Sequence, residues 1–201
     1  MAIEVKISGL REIDLMLSGV RDGSHTVLRR AINKTLTGVR TDMTDAAAEE
    51  LNLTKTVIRK EIKMRKASFT SLAASTWRAG RPVPLAKFRQ TRAVKAGVSV
   101  KVKKTSRRVI VRHAFMATMK SGHVGVFWRK SDRVGTGNTN VATPAFAGLP
   151  ERYRLPIREL TGPRVEDILA RPEVISDLEK KAAARALKNV DHELKFMLSQ
   201  L

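Results

Sequence analysis

The sequence predicts an α+β fold: a twisted, mainly antiparallel β-sheet packed by a long helix in the first half of the chain. A long C-terminal helix and two extended loops complete it. Three observations predict this. An apolar stripe spaced by three to four residues runs from Leu28 to Leu51, over six turns of one helix face. A second such stripe runs from Ile175 to Leu201. Between them Val98, Val100 and Val102 alternate with Ser99, Lys101 and Lys103, the period-two pattern of a half-buried strand.

In chain order, Ile3, Val5 and Ile7 alternate with charged residues and predict a short strand. Leu10, Ile13 and Leu17 mark a short helix, broken by Ser18-Gly19 and Asp22-Gly23. Ser24 is a suitable N-cap for the long helix, which runs to Leu51 with Leu28, Ile32, Leu36 or Thr35, Val39, Met43 and Ala47 inward. Arg29, Arg30, Asn33, Arg40 and Asp42 occupy the other face. Asn52 ends the helix, and Thr54 caps a short one through Ile62 that turns Val57 and Ile58 inward. Strands follow at 64–68 and 71–78, with Leu72, Ala74 and Thr76 on one face.

Gly80-Arg81-Pro82-Val83-Pro84 suits neither a helix nor a central strand. The stretch from Ala79 to Ala96 reads as a projecting arm or long connection. The strand Gly97 to Lys103 then turns at Lys104-Thr105-Ser106 and returns as Arg107 to Val111, its antiparallel mate. Residues 114–119 are ambiguous between strand and helical turn. His123 to Arg129 is a strand with Val124, Val126 and Trp128 on one side. Lys130 to Gly148 is a second long polar loop. A strand at 155–160, a short helix at 165–169 and a final helix from Pro172 close the chain.

The 201 residues fit one domain of ordinary size, read as strand plus helices at 1–54, a basic β core at 55–133, and loop plus C-terminal helices at 134–201. The chain carries 39 Lys/Arg and 19 Asp/Glu, a formal charge of +20. The stretch Lys55 to Arg133 holds 22 of the bases and two acids, Glu61 and Asp132, so it accounts for the whole excess. Such a segment calls for a polyanion or an acidic protein surface. Its hairpin cations Lys101, Lys103, Lys104, Arg107 and Arg108 are the candidate contact residues, meeting phosphates or acidic side chains electrostatically. A merely solvated strand face is the bland alternative. Aromatic residues are not interleaved with the bases as single-strand binders require.

There is no cysteine, which excludes disulfides and thiolate metal sites. His25, His113, His123 and His192 form no HExxH or comparable pair, so no metal is expected. Gly135-Thr136-Gly137 lacks the GKS/T ending of a phosphate loop. No catalytic residue or cofactor is assigned, and the chain is not expected to be an enzyme. The first residues carry no signal-peptide pattern and no run reaches a membrane span, so the expectation is a soluble protein, cytoplasmic at synthesis, without a membrane partner.

Several segments carry a resemblance. Val5-Lys6-Ile7-Ser8-Gly9-Leu10-Arg11-Glu12-Ile13-Asp14 resembles the opening of bacteriophage tail-completion and neck proteins. The helix segment Leu28 to Thr35 with Val39-Arg40-Thr41, and Leu53-Thr54-Lys55 before a basic helix, resemble the same proteins. Leu155-Pro156-Ile157-Arg158-Glu159-Leu160-Thr161-Gly162-Pro163 is similar to a segment near the end of the prophage minor tail protein Z family. The likeness covers most of the chain and is least specific from Gly80 to Lys120. It implies a structural virion protein of a long-tailed phage, located in the tail and neck. Such proteins complete the head-proximal end of the tail and join it to the head as rings, commonly hexameric. The implied partners are further copies of the chain, the tail tube or its terminator, head–tail connector proteins, and genomic DNA at the junction. A sequence-independent nucleic-acid-binding protein is the alternative.

Overall fold

The structure, a computed structural model, describes residues 3–4, 23–78, 80–129 and 157–200. It is an α+β protein with antiparallel sheets, a long helix in the first half and another at the C-terminus. The expected helix at 10–17, most of the first strand and the loop at 130–148 lie outside the described residues. The chain divides into two compact units: Met1–Glu49, Lys55–Gly80 and Val165–Leu201 form unit 1, and Glu50–Thr54 with Arg81–Arg164 form unit 2. The basic segment 55–133 is thereby split at Gly80.

Unit 1 contains β1 (Ile3–Glu4), α1 (Gly23–Glu50, whose last residue opens unit 2), α2 (Lys55–Glu61), β2 (Ile62–Arg65), β3 (Ser75–Arg78), α3 (Val165–Leu169) and α4 (Pro172–Leu198). The strands form an antiparallel sheet in the order β1-β3-β2. Met64 pairs with Thr76 and Ile62 with Arg78. Ile62 and Thr76 are fully buried, and the Thr76 hydroxyl reaches Met43 Sδ at 3.5 Å, which packs this sheet face on α1.

α1 sustains 28 residues with one internal glycine and no proline. Its threonines 35, 37, 41 and 44 each donate a hydroxyl to the carbonyl four residues back, so they need no outside partner. The expected stripe is present: Leu28, Leu36, Val39, Met43 and Ala47 are buried. Ile32 is only half-buried, because it packs at the rim of a cluster around Val27 and Leu28. The helix is not one-sided, however. A second stripe, Val27-Ala31-Thr35-Gly38-Asp42, faces α4.

α4 runs antiparallel to α1. Val190, Leu194 and Met197 pack on Val27 and Leu28. Asn189 Nδ2 donates to Thr35 Oγ1 at 2.9 Å in the buried interior. Arg185 forks onto the Asp42 carboxylate, with Nη2 at 3.1 Å from Oδ1. The Asp42 hydrogen bond is the main reason the Arg185 pKa lies above its ordinary value. Gly38 permits this crossing: a Cβ there would lie 2.5 Å from the Arg185 Cδ. Leu178, Ala182 and Ala186 complete the buried side of α4.

Unit 2 contains a 3-10 turn (Leu85–Lys87), β4 (Arg92–Val94), β5 (Gly97–Val100), β6 (Val109–Arg112), β7 (Phe115–Thr118), β8 (Val124–Arg129) and β9 (Ile157–Glu159). Two antiparallel sheets result, β4-β5-β6 and β7-β8-β9. Residues 114–119 thus resolve in favour of strand. Gly97, at φ +147, is a position only glycine fills, since a Cβ would collide with the Val111 carbonyl. In β8 both Val126 and Phe127 are buried while Val124 and Trp128 are exposed. The strand is therefore covered on both faces at its centre and open at its ends, which corrects the alternation expected for it.

Of the stretch expected to be an arm or long connection, residues 81–96 are not a projecting arm. Val83, Leu85 and Phe88 are buried, three apolar anchors spaced too irregularly to register as a period. Leu85 donates its N–H to the Leu160 carbonyl at 3.0 Å, and Gly162 to the Val83 carbonyl at 2.7 Å. β4 pairs with β5 along its whole length. Every element of this stretch has hydrogen-bond partners inside unit 2, as buried backbone requires.

Candidate functional site

The predicted hairpin forms: β5 and β6 pair antiparallel, with Val98 opposite Val111 and Val100 opposite Val109. Val98 and Val100 are buried, as their alternation requires. Beyond β5 the chain stays extended and meets the end of α1. Leu51 bridges Lys103, Asn52 N–H donates to the Val102 carbonyl at 2.9 Å, and Lys104 N–H to the Glu50 carbonyl at 2.9 Å. Asn52 is the hub. Its side-chain amide donates to the carbonyls of Arg89 and Lys101, both at 3.0 Å, and its carbonyl accepts from the Arg89 N–H. One asparagine therefore holds three segments of unit 2 in register.

The five candidate cations divide in two. Lys103 Nζ lies 2.8 Å from Glu50 Oε1. Arg108 folds back, giving Nη1 to the Gln90 carbonyl at 2.8 Å and Nη2 to Gln90 Oε1 at 2.7 Å, with Ser99 Oγ at 3.3 Å from Nη1. It covers Ser99, which is buried, and clamps Gln90 at φ +62. These two hold structure. The side chains of Lys101, Lys104 and Arg107 have no ion pair or hydrogen bond among the described residues, and Lys104 and Arg107 are exposed at the turn.

The register adds two residues that the sequence reading missed. Arg92 stands opposite Ser99, and Ser99 opposite Ile110, so the three share a sheet face. Arg112, two residues beyond Ile110, lies on the same face, and both arginines are exposed. Arg92 belongs to the stretch read as an arm, where no apolar period marks a strand. Arg112 lies one residue beyond the predicted end of its strand. The result is an open basic face, Arg92, Arg112 and the Arg108 clamp, continuing into Lys101, Lys104 and Arg107. Ile110, half exposed, is the apolar side chain among them.

Charge follows the division into units. Unit 2 carries 19 Lys/Arg and four Asp/Glu; unit 1 carries 20 and 15. Unit 2 thus holds three-quarters of the net charge. One of its acids is committed to Lys103, and another, Glu159, sits 2.8 Å from His123 Nε2.

Comparison with known proteins returns nothing to set beside this geometry. No family model matches the chain, nor does any curated protein or solved structure.

His113 and His123 have separate settings: His113 sits at φ +62 with its N–H on the Ala96 carbonyl, while His123 pairs with Glu159 and meets Phe127 edge-on. No group of three His, Cys, Asp or Glu side chains suited to a metal ion occurs among the described residues. No described helix is long and apolar enough to cross a membrane. What the basic face can do chemically is bind. Its groups are permanent cations with donor-only hydrogen-bonding capacity, set on a sheet braced by Asn52 and Arg108.

Proposed function

We propose that the chain is a structural virion protein of a long-tailed bacteriophage, completing the head-proximal end of the tail and joining tail to head within a ring of identical subunits. The observation that carries this reading is the basic face of unit 2. Its exposed cations have few carboxylates inside the unit, so they call for an anionic neighbour. A head–tail junction supplies two, an acidic face of an adjoining ring and the packaged DNA. The segments that resemble tail-completion proteins favour that setting over a free-standing protein. The α1–α4 pair of unit 1, tied by Asn189 to Thr35 and by Arg185 to Asp42, fits a building block.

A second reading, sequence-independent coating of nucleic acid, rests on the same face. Changing Lys101, Lys104 and Arg107 together to Gln separates them, since none of the three has a structural bond to lose. Under the joining reading, complementation of a phage lacking the protein with this variant yields tails that fail to join heads, and immuno-electron microscopy finds the unmodified protein at the head-proximal tail end. Unmodified protein found on bulk DNA and not in finished particles overturns that reading in favour of coating. Normal particle yield from the variant removes the basic face from both.

A further inference from the structure

Unit 1 contains a second gathering of cations, which the proposed role does not use. α1 and α2 line an open cavity of about 350 Å³. Arg40, Lys55, Arg59 and Lys60 stand in its wall against one lining carboxylate, Asp45. That carboxylate is already engaged, with Lys55 Nζ at 2.7 Å from Oδ1. Arg40 cannot withdraw from the other cations. Its Nη2 donates to the Arg59 carbonyl at 2.6 Å, which holds the guanidinium against the last turn of α2. Its Nε is shielded from solvent and has no hydrogen-bond partner. Arg59 and Lys60 are exposed, and no carboxylate pairs with either among the described residues.

A contrast within the same helix sharpens the point. Arg29 also has a shielded Nε without an acceptor. Its guanidinium lies 4.5 Å from the centre of the Phe69 ring, whose negative face compensates the charge. Arg40 has no ring contact among the described residues. Its half-buried guanidinium shares the cavity with three other cations and the single carboxylate of Asp45, a local excess of positive charge that an entering anion would offset.

We infer that this cavity binds a phosphoryl group. A planar guanidinium held by the backbone, the exposed guanidinium of Arg59 and the exposed ammonium of Lys60 suit a tetrahedral oxyanion. The Thr56 hydroxyl adds a further donor in the wall. The volume lies at the small end of ligand pockets, enough for phosphate itself or a phosphorylated small molecule. The group's source is either a free or small-molecule phosphate or a nucleic-acid backbone.

The test uses the full chain labelled with 15N and follows the amides of Thr41, Thr56 and Lys60 as inorganic phosphate replaces chloride at constant ionic strength. Saturable shifts confined to these amides are expected. In R59Q/K60Q, whose changed side chains are exposed, the apparent affinity should fall about tenfold or more. In K104Q/R107Q, which removes the same charge from unit 2, it should stay within about twofold. Shifts that do not saturate, or that weaken equally in both variants, overturn the inference and leave only general attraction to a basic protein. Parallel titrations with a nucleoside monophosphate and a short duplex identify the source. Saturation by either, lost in R59Q/K60Q, supports the site, and silence from all three probes refutes it. None of these readouts involves particle assembly, so the result is independent of the proposed role in joining.

Discussion

The two units use arginine in opposite ways. In unit 1, Arg185 crosses Gly38 to fork onto Asp42, Lys34 meets Glu193 at 3.7 Å, and Lys181 pairs with Asp177 four residues before it. The excess there is only five charges. In unit 2, Arg108 is bound to uncharged oxygens, while Arg92, Arg107 and Arg112 stand exposed. Outside the cavity between α1 and α2, unit 1 largely cancels its own charge, as suits a scaffold. Unit 2 does not, and its excess is built to meet something. The difference also predicts how each responds to change: unit 1 through packing, unit 2 through salt.

The largest effect should come from the core of unit 1. Val39 is 3% exposed, mid-way along α1. Val39→Asp buries an unpaired charge at a cost of several kcal/mol, a large fraction of a domain's stability. Thermal melts followed by circular dichroism should show the helical signal lost or the transition lowered by tens of degrees. An unchanged melt would mean that α1 does not hold unit 1 together.

Asn52→Ala tests the hub of unit 2. Two carbonyls, of Arg89 and Lys101, lose their amide donor, for about 1–3 kcal/mol. Hydrogen exchange should accelerate at the Arg89 and Lys104 amides before it does in α1. Equal acceleration in both would mean that the units do not open separately, and would break the comparison.

Much of the fold was legible because burial leaves a period in the sequence. α1, α4 and the β5–β6 hairpin follow from valine, leucine and alanine spacing. The second face of α1 was not legible, since its contacts are made by Thr35, Gly38 and Asp42, which no apolar pattern registers. Val83, Leu85 and Phe88 were missed for a related reason: a coil segment can be anchored by three irregular apolar residues. The candidate site was half legible. The charge excess and the hairpin are properties of the chain in order. Arg92 and Arg112 join the site only through strand pairing. The division of the five cations into bound and unbound depends on Glu50 and Gln90, which no motif links to them. The cavity at Arg40 is likewise invisible until α2 folds against α1.

A smaller effect should come from Gly38→Ala, because two terms oppose. Alanine in a helix interior gains about 1 kcal/mol over glycine. The new Cβ displaces Arg185 from Asp42, a partly exposed pair that contributes about 1 kcal/mol after allowance for solvent. The net change should therefore be within about 1 kcal/mol of zero. A double-mutant cycle with Asp42→Asn isolates the second term. Once Asp42→Asn has removed the fork, Gly38→Ala should become plainly stabilising. If it stabilises equally with and without the Asp42 carboxylate, the Arg185 fork contributes nothing, and the internal pairing of charge in unit 1 is only apparent.

The smallest effect on stability, and the largest on salt dependence, belongs to the exposed cations of unit 2. Lys101, Lys104 and Arg107 have no partner to lose among the described residues, so changing all three to Gln should leave the melting transition nearly where it was, within about 0.5 kcal/mol per site. Arg108→Gln is the internal control. It removes the clamp on Gln90 and the cover over Ser99, and should cost about 1–3 kcal/mol. Binding reverses the order. On duplex DNA of any sequence, the triple change should reduce the slope of log affinity against log salt by up to about one unit per lost phosphate contact. Arg108→Gln should change that slope little, since its guanidinium is already spent on Gln90. A slope altered as much by Arg108 as by the three together would mean that the clamp opens on binding. The separation of structural from contact cations in unit 2 would then fail, while the contrast in net charge between the units would stand.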